Sequence, residues 1–138
     1  MEIRPRIHTT GEVGRGIVEQ GLAVETSEGL VVVTGCAHPG VVEMVRAAKA
    51  IAKGEVALVM GGFHLGSASK RRVNRIIFDF RDLAVRRVAP CHCTGQQAIN
   101  MFASAFGEDY IKNGVGRVIT VNSAKEGVEK QARPAANL

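Results

Sequence analysis

The spacing of apolar residues predicts strands that alternate with helices. Two runs rich in β-branched residues, at 22–26 and 30–34, are separated by a short segment that contains Gly29, which predicts a β-hairpin. The second run is apolar without alternation, which is typical of a central strand buried on both faces. The same criteria predict further strands at 56–60, 86–89 and 117–121.

Helical periodicity fills the intervals between these strands. Apolar residues recur every three or four positions between Pro39, which suits a first turn, and Gly54, which suits a C-terminus. The same spacing predicts helices over about 70–83 and 94–106. This alternation predicts an α/β fold, with a single domain at 1–122 and a frayed tail at 123–138.

The composition is that of an ordinary globular domain, with 138 residues of which 46% are hydrophobic and 22% are charged. No apolar run approaches the roughly 20 residues that span a membrane, and no signal peptide is evident. We therefore expect a cytoplasmic protein without a membrane partner, whose cysteines remain thiols. The basic run at 70–75 has no interleaved aromatic residues, so we interpret it as a solvated helix face rather than a nucleic-acid site.

A histidine follows three of the predicted strands in succession. His38, His64 and His92 each come a few residues after a strand, and each pair is separated by one α/β unit. Ligand sites in open α/β sheets gather beyond the carboxyl ends of strands, so adjacent strands would project three imidazoles from one edge. Histidine is the commonest metal ligand. The pattern predicts a shared metal or polar site, with separate hydrogen-bonded loop histidines as the alternative.

Three motifs around these histidines resemble the signatures of one branch of the metallo-β-lactamase superfamily. They are Gly35-Cys36-Ala37-His38-Pro39-Gly40, Gly61-Gly62-Phe63-His64-Leu65 and His92-Cys93-Thr94-Gly95. The branch includes proteins similar to dihydropterin ribofuranosyl-aminobenzene-phosphate synthase, and the segments at 9–11 and 19–22 also fit it. The resemblance implies the C-terminal half of an αββα sandwich, a mixed β-sheet with helices packed on one face.

The resemblance also implies a metal-dependent hydrolase, in which a metal-bound hydroxide attacks an ester or phosphoester. His92 and His38 match metal-ligand positions. Cys36 is the third candidate ligand, as a thiolate, with a buried structural cysteine as the alternative. His64 matches a pocket-lining position and is the catalytic candidate, as a proton donor, with substrate binding and metal ligation as the alternatives. Zinc is the expected divalent metal, with iron or manganese as alternatives. The residues expected to bind substrate are Gly61, Gly62 and Thr94.

Three other residues near these motifs receive weaker interpretations. Cys91 and Cys93 flank His92 and would point away from it in an extended chain, so we interpret both as packing residues. His8 is a minor candidate for the site, and an ordinary position on an edge strand is its alternative.

One departure from the superfamily is large. Its defining His-x-His-x-Asp-His motif lies in the N-terminal half, and none of the four histidines here forms such a motif. The domain is therefore expected to be incomplete or inactive alone. Half of a sandwich would leave one apolar sheet face bare, which predicts a homodimer or a missing N-terminal half. The alternatives are a site completed across the homodimer and a non-catalytic binding module that retains the fold.

Overall fold

The structure is a computed structural model and describes residues 1–122. Short 3-10 turns at His92–Thr94 and Gly107–Asp109 flank the last helix. The predicted frayed tail lies outside the described residues. The other elements, in chain order, are β1 (Glu2–Arg4), β2 (Ile7–Thr9), β3 (Leu22–Thr26), β4 (Gly29–Thr34), α1 (Val41–Ile51), β5 (Val56–Gly62), α2 (Lys70–Asp82), β6 (Arg87–Cys91) and α3 (Gln96–Phe106).

The strands form one mixed sheet in the order β1-β2-β3-β4-β5-β6. The pairs β1/β2, β2/β3 and β3/β4 are antiparallel, whereas the pairs β4/β5 and β5/β6 are parallel. Parallel strands need crossover connections, and α1 and α2 provide them. The loops that follow Thr34, Gly62 and Cys91 therefore lie side by side at the carboxyl edge, and the predicted α/β fold is confirmed.

All three helices pack on one face of the sheet, as predicted. Phe63, Phe80 and Phe102 form the aromatic centre of this core, with ring centroids 5.3 to 5.8 Å apart and no more than 1% of each residue exposed. Burying each such side chain stabilises the fold by about 1.5–3 kcal/mol. Ser69 is the N-cap of α2, since its side chain accepts a hydrogen bond from the N–H of Arg72 at 3.2 Å.

The opposite face has a smaller apolar cluster, centred on Val31, Leu58 and Ala89. Ile111 and Val121 pack against it, so the segment 110–122 partly covers this face. The expectation of a bare face is therefore wrong for this part of the sheet.

The strand predicted at 117–121 is also wrong. A single bridge joins Tyr110 to Val88, and the chain then crosses the sheet face until the carbonyl of Asn122 accepts a hydrogen bond from Ser27 N–H at 3.1 Å. A segment that crosses the strands cannot pair along one of them.

The predicted helix ends differ from the structure by a few residues. Gly40 precedes α1, so Pro39 lies outside the helix, and α1 ends at Ile51, before Gly54. Helix α3 begins at Gln96 because the preceding residues form a 3-10 turn. Among residues 1–122, no helix is both long and apolar enough to cross a membrane.

The N-terminal 21 residues form two short strands and a loop. His8 lies in β2 between two other strands, so it is not at the sheet edge. Its Nε2 lies 3.0 Å from a carboxylate oxygen of Glu25. The imidazole of His8 therefore contacts Glu25 instead of the three loops at the carboxyl edge.

Candidate metal centre

Each of the three loops at the carboxyl edge contains a non-glycine residue in the left-handed region. These residues are Ala37, His64 and His92, with φ angles of 60°, 48° and 28°. Such conformations cost about 1–3 kcal/mol each and persist where surrounding contacts enforce them, often at functional sites. The first two loops are joined by a hydrogen bond of 2.8 Å from Gly62 N–H to the carbonyl of Gly35.

The first and third loops bring Cys36, His92 and Cys93 together. Cys36 Sγ lies 3.4 Å from His92 Nε2, and the candidate ligand atoms of all three residues lie within 4.8 Å of one another. Burial, the hydrogen bond with Cys93 and the nearby charge of Glu19 raise the pKa of the Cys36 thiol. We call Cys36, His92 and Cys93 the thiol–imidazole cluster.

The expectation that Cys93 points away from His92 is wrong. Residues His92–Thr94 form a 3-10 turn instead of an extended chain, which turns Cys93 toward Cys36. The hydroxyl of Thr94 stabilises this turn by donating to the carbonyl of Cys91 at 2.7 Å. Cys91 itself lies with Sγ 3.4 Å from His92 Nδ1, and burial raises its pKa. The turn-forming Thr-Gly pair after Cys93 was the sequence signal for this geometry.

Gly62 leaves the space that the thiol–imidazole cluster occupies. A Cβ atom at Gly62 would lie 2.7 Å from Cys93 Sγ and would overlap the ring of His92. Gly61, Gly62 and Thr94 are all buried. Of these three predicted substrate-binding residues, Gly62 leaves room for the cluster and Thr94 stabilises the turn that carries it, whereas Gly61 packs against Thr34.

The second group at this edge consists of Glu19, His38 and His64, which we call the histidine–carboxylate group. Glu19 accepts hydrogen bonds from His38 Nδ1 and from the backbone N–H groups of His38 and Ala37, the last at 2.8 Å. The rings of His38 and His64 lie with centroids 4.2 Å apart and planes tilted by 48°.

The hydrogen bonds to Glu19 decide its ionisation. Burial alone would raise the pKa of this carboxyl, but the hydrogen bonds from His38 and Ala37 outweigh burial and lower the pKa. The carboxylate is therefore ionised at neutral pH and orients the ring of His38 with Nδ1 as the donor. Sequence reasoning gave Glu19 no role, because its partner is 19 residues away along the chain.

The structure thus divides the predicted metal ligands between the two groups. Cys36 and His92 lie in the thiol–imidazole cluster. Within residues 1–122, this cluster is the group of at least three His, Cys, Asp or Glu side chains that could hold a metal ion. His38 lies instead against Glu19 and His64. A histidine that ligates a metal commonly donates its other nitrogen to a carboxylate, so the contact with Glu19 suits either a ligand or a proton carrier.

The thiol–imidazole cluster fits a divalent metal of zinc type. Zinc accepts two cysteines and one histidine in catalytic sites, which leaves a fourth position open. Donors on a tetrahedral zinc are separated by about 3.6 Å, and the Cys36 and His92 atoms are 3.4 Å apart. The room that Gly62 leaves for these side chains is consistent with a built site.

A pocket of about 710 Å³ adjoins the histidine–carboxylate group. It is lined by His38 and His64, by the loop at 13–17, and by Pro39 and Glu43. The two imidazoles therefore face a volume large enough for a small organic ligand.

Curated proteins and solved structures that are similar to this chain test the family resemblance. The chain is 41% identical over 102 residues to 7,8-dihydropterin-6-methyl-4-(beta-D-ribofuranosyl)-aminobenzene-5'-phosphate synthase of Methanocaldococcus jannaschii. The matched region covers 73% of this chain and 35% of the synthase. The crystal structure of a metal-dependent hydrolase of the β-lactamase superfamily matches with a TM-score of 0.69 and 32% identity, over 80% of this chain and 52% of that one. The resemblance to the metallo-β-lactamase superfamily is confirmed.

This synthase is the protein by which the branch was described above, so the resemblance to that branch is confirmed as well. A further, uncharacterized protein of Methanocaldococcus jannaschii is 31% identical over 91 residues, which cover 66% of this chain and 34% of that protein. No protein-family model matches the chain. The chain spans about a third of the length of these curated relatives.

Proposed function

We propose that this chain is the metal-binding part of a metallo-β-lactamase-type hydrolase that acts on an ester or phosphoester. The observation that carries the proposal is the convergence of Cys36, His92 and Cys93 within 4.8 Å at the carboxyl edge of the parallel strands. These three residues would hold one divalent metal, with zinc the best match for two sulfurs and one nitrogen. When bound, such a metal supplies a Lewis acid and an activated water at neutral pH.

The histidine–carboxylate group would handle protons beside this metal. Ionised Glu19 accepts a hydrogen bond from Nδ1–H of His38, which leaves Nε2 of the neutral ring as a proton acceptor. His64 lines the same pocket and lies against His38, so it is placed to donate a proton to a departing oxygen.

The relatives support the fold family more strongly than any one reaction, because their names give a synthase in one case and a hydrolase in the other. The name of the synthase includes a 5'-phosphate, which favours a phosphate-bearing substrate for this chain as well. We therefore place phosphoesters before carboxylic esters as substrates.

We also propose that residues from outside this chain complete the active site. The chain lacks a His-x-His-x-Asp-His motif, and three protein ligands leave a metal open to a further group. An N-terminal half or a second copy of the chain would supply that group. Light scattering distinguishes the two: a dimer supports the second copy, whereas a stable monomer contradicts it.

The test of the metal site is the zinc content and zinc affinity of the purified chain. We expect one zinc per chain and a large loss of affinity in His92→Ala. His8→Ala is the matched control, because His8 lies against Glu25 in β2. Unchanged zinc affinity in His92→Ala would overturn the proposal.

Hydrolysis of bis(p-nitrophenyl) phosphate then separates an enzyme from a binding module. Zinc-dependent hydrolysis that is lost in His38→Ala supports the hydrolase. Tight zinc binding without hydrolysis, in both the presence and absence of a completing partner, favours the non-catalytic binding module.

A further inference from the structure

The outer side of α2 and α3 combines positive charge with an exposed aromatic ring. Helix α2 contains five basic and two acidic residues, whereas the sequence of α3 is uncharged. Among residues 1–122, the ion pairs include Arg75 with Asp79, at 3.3 Å, but no other basic residue of α2. The remaining cations of this helix are all exposed, and they are Lys70, Arg71, Arg72 and Arg81.

Phe78 lies beside Arg75 on α2 and is 61% exposed, whereas Phe80 of the same helix is fully buried. The guanidinium carbon of Arg75 lies 5.7 Å from the centroid of the Phe78 ring, within the range of a cation–π contact. This contact still leaves most of the ring in water. The basic run at 70–75 therefore has an aromatic neighbour about one helical turn beyond its end.

A groove of about 410 Å³ lies between α2 and α3 and is lined in part by Phe78. Ile77, Met101 and Ala105 contribute further apolar surface to its wall. Arg81 Nη2 donates a hydrogen bond to the carbonyl of Ala105 at 3.1 Å, which joins the two helices at the groove. The groove is therefore formed before any ligand binds, and it has room for a large apolar side chain.

Helical spacing places further charge beside this groove. Arg71 lies three residues before Asn74 and seven before Phe78, and both of these line the groove, so the three share one side of α2. Arg81 lines the groove further along the same side. An apolar side chain in the groove would therefore have cations on both sides of it along α2.

Charge distinguishes the possible occupants of this surface. The chain carries a net charge of +5, and a second copy that met the same surface symmetrically would place two basic helices against each other. Single-stranded nucleic acids are bound by successive aromatic side chains, whereas α2 exposes one ring. An acidic protein segment matches both the positive charge and the apolar groove.

We propose that the α2–α3 surface binds an acidic segment of another protein through one large apolar side chain seated in the groove. Phe78 and the apolar wall of the groove contact that side chain, while Arg71 and Arg81 pair with carboxylates on either side of it. These residues are separate from the thiol–imidazole cluster and from the histidine–carboxylate group, so the inference does not rest on the proposed function.

The test is a selection of random peptides displayed on phage against the full chain, followed by titration of the enriched peptides by fluorescence anisotropy. We expect enrichment of peptides in which aspartate or glutamate flanks a phenylalanine, tryptophan or leucine. Phe78→Ser should weaken their binding by about tenfold or more, as expected for an anchor residue. Arg71→Glu should weaken binding most at low salt, because salt screens the attraction between exposed charges.

Val118→Ser and Lys53→Glu are the matched controls and should bind as the parent chain does. Val118 is 81% exposed in the segment 110–122, and Lys53 is exposed just after α1. Thermal unfolding of each variant distinguishes a loss of binding from a loss of the fold.

The inference is overturned if no peptide is enriched, if the enriched peptides lack acidic residues, or if the controls lose as much binding as Phe78→Ser. Tighter binding of an oligothymidylate than of the peptides, lost in Phe78→Ser, would assign the surface to nucleic acid instead. A dimer detected by light scattering that dissociates in Phe78→Ser would assign it to a second copy of the chain. Either result would overturn the assignment to an acidic protein segment.

Discussion

The thiol–imidazole cluster and the histidine–carboxylate group lie on one edge of the sheet but differ in their chemistry. In the first, His92 contacts a thiol at 3.4 Å and rests in space left by Gly62. In the second, His38 contacts an ionised carboxylate and faces a pocket. Histidines at equivalent strand ends are therefore not equivalent, because their neighbours from other loops decide whether they suit a metal or a proton.

Filling the space under the thiol–imidazole cluster should have the largest effect. In Gly62→Ala the new Cβ overlaps the ring of His92, so we expect a loss of about 1–3 kcal/mol in the free energy of unfolding, together with loss of zinc binding. Thermal unfolding and zinc titration measure the two effects. Gly35→Ala is the control, since the nearest atom to its Cβ would be 3.8 Å away. Normal zinc binding in Gly62→Ala would refute the proposed packing.

Removing one imidazole from each group should separate their roles. Loss of a residue that merely hydrogen-bonds a metal ligand lowers metal affinity by about 10–100-fold, so loss of the ligand itself in His92→Ala should lower zinc affinity by more than about 100-fold. His38→Ala should lower it by less than about tenfold. Competition with a zinc-binding dye gives both affinities. Equal losses in the two variants would move His38 into the ligand set and remove the contrast between the groups.

The two cysteines beside His92 should also differ. Cys93→Ser should lower zinc affinity by roughly tenfold or more, whereas Cys91→Ser should have a smaller effect because Cys91 is outside the three-residue donor set. Zinc should protect Cys36 and Cys93 from alkylation, which mass spectrometry of the modified peptides can detect. Protection of Cys91 alone would contradict this assignment.

The smallest effect is expected from Glu19→Gln in the metal-free chain. The pKa of Glu19 is lowered in the folded state from its ordinary value of 4.5. Its stabilising contribution is therefore complete above that value and is lost as the pH falls through the lowered folded-state pKa. The parent chain should unfold at a higher temperature than Glu19→Gln at neutral pH, and the difference should shrink below about pH 4.

Glu12→Gln is the matched control for this pH dependence, since Glu12 lies on the same exposed N-terminal loop. A difference between the parent chain and Glu19→Gln that stays constant from neutral to acidic pH would contradict the role assigned to the Glu19 carboxylate.

Local sequence patterns were sufficient for most of the fold. Helical periodicity located α2 to within one residue, because Val73, Ile77 and Phe80 must all face one core. The order of strand-end histidines also predicted a common edge, since crossover connections bring the carboxyl ends of parallel strands together.

Contacts distant in sequence were the ones that could not be predicted. The apolar segment at 117–121 has the composition of a strand, but its path across the sheet depends on contacts of Ile111 with β6 and of Asn122 with Ser27. The role of Cys93 depends on the local turn at His92–Thr94 and on Cys36 in another loop. The Thr-Gly pair signals the turn itself, but no local pattern in the sequence reports that this turn lies against Cys36.

X-ray absorption at the zinc edge tests the central claim most directly, because it counts the sulfur ligands of the bound metal. The proposal predicts two sulfurs at about 2.3 Å and at least one imidazole nitrogen at about 2.0 Å in the zinc-loaded chain, with one sulfur remaining in Cys93→Ser. A coordination shell of nitrogen and oxygen alone would contradict the assignment of the metal to Cys36, His92 and Cys93.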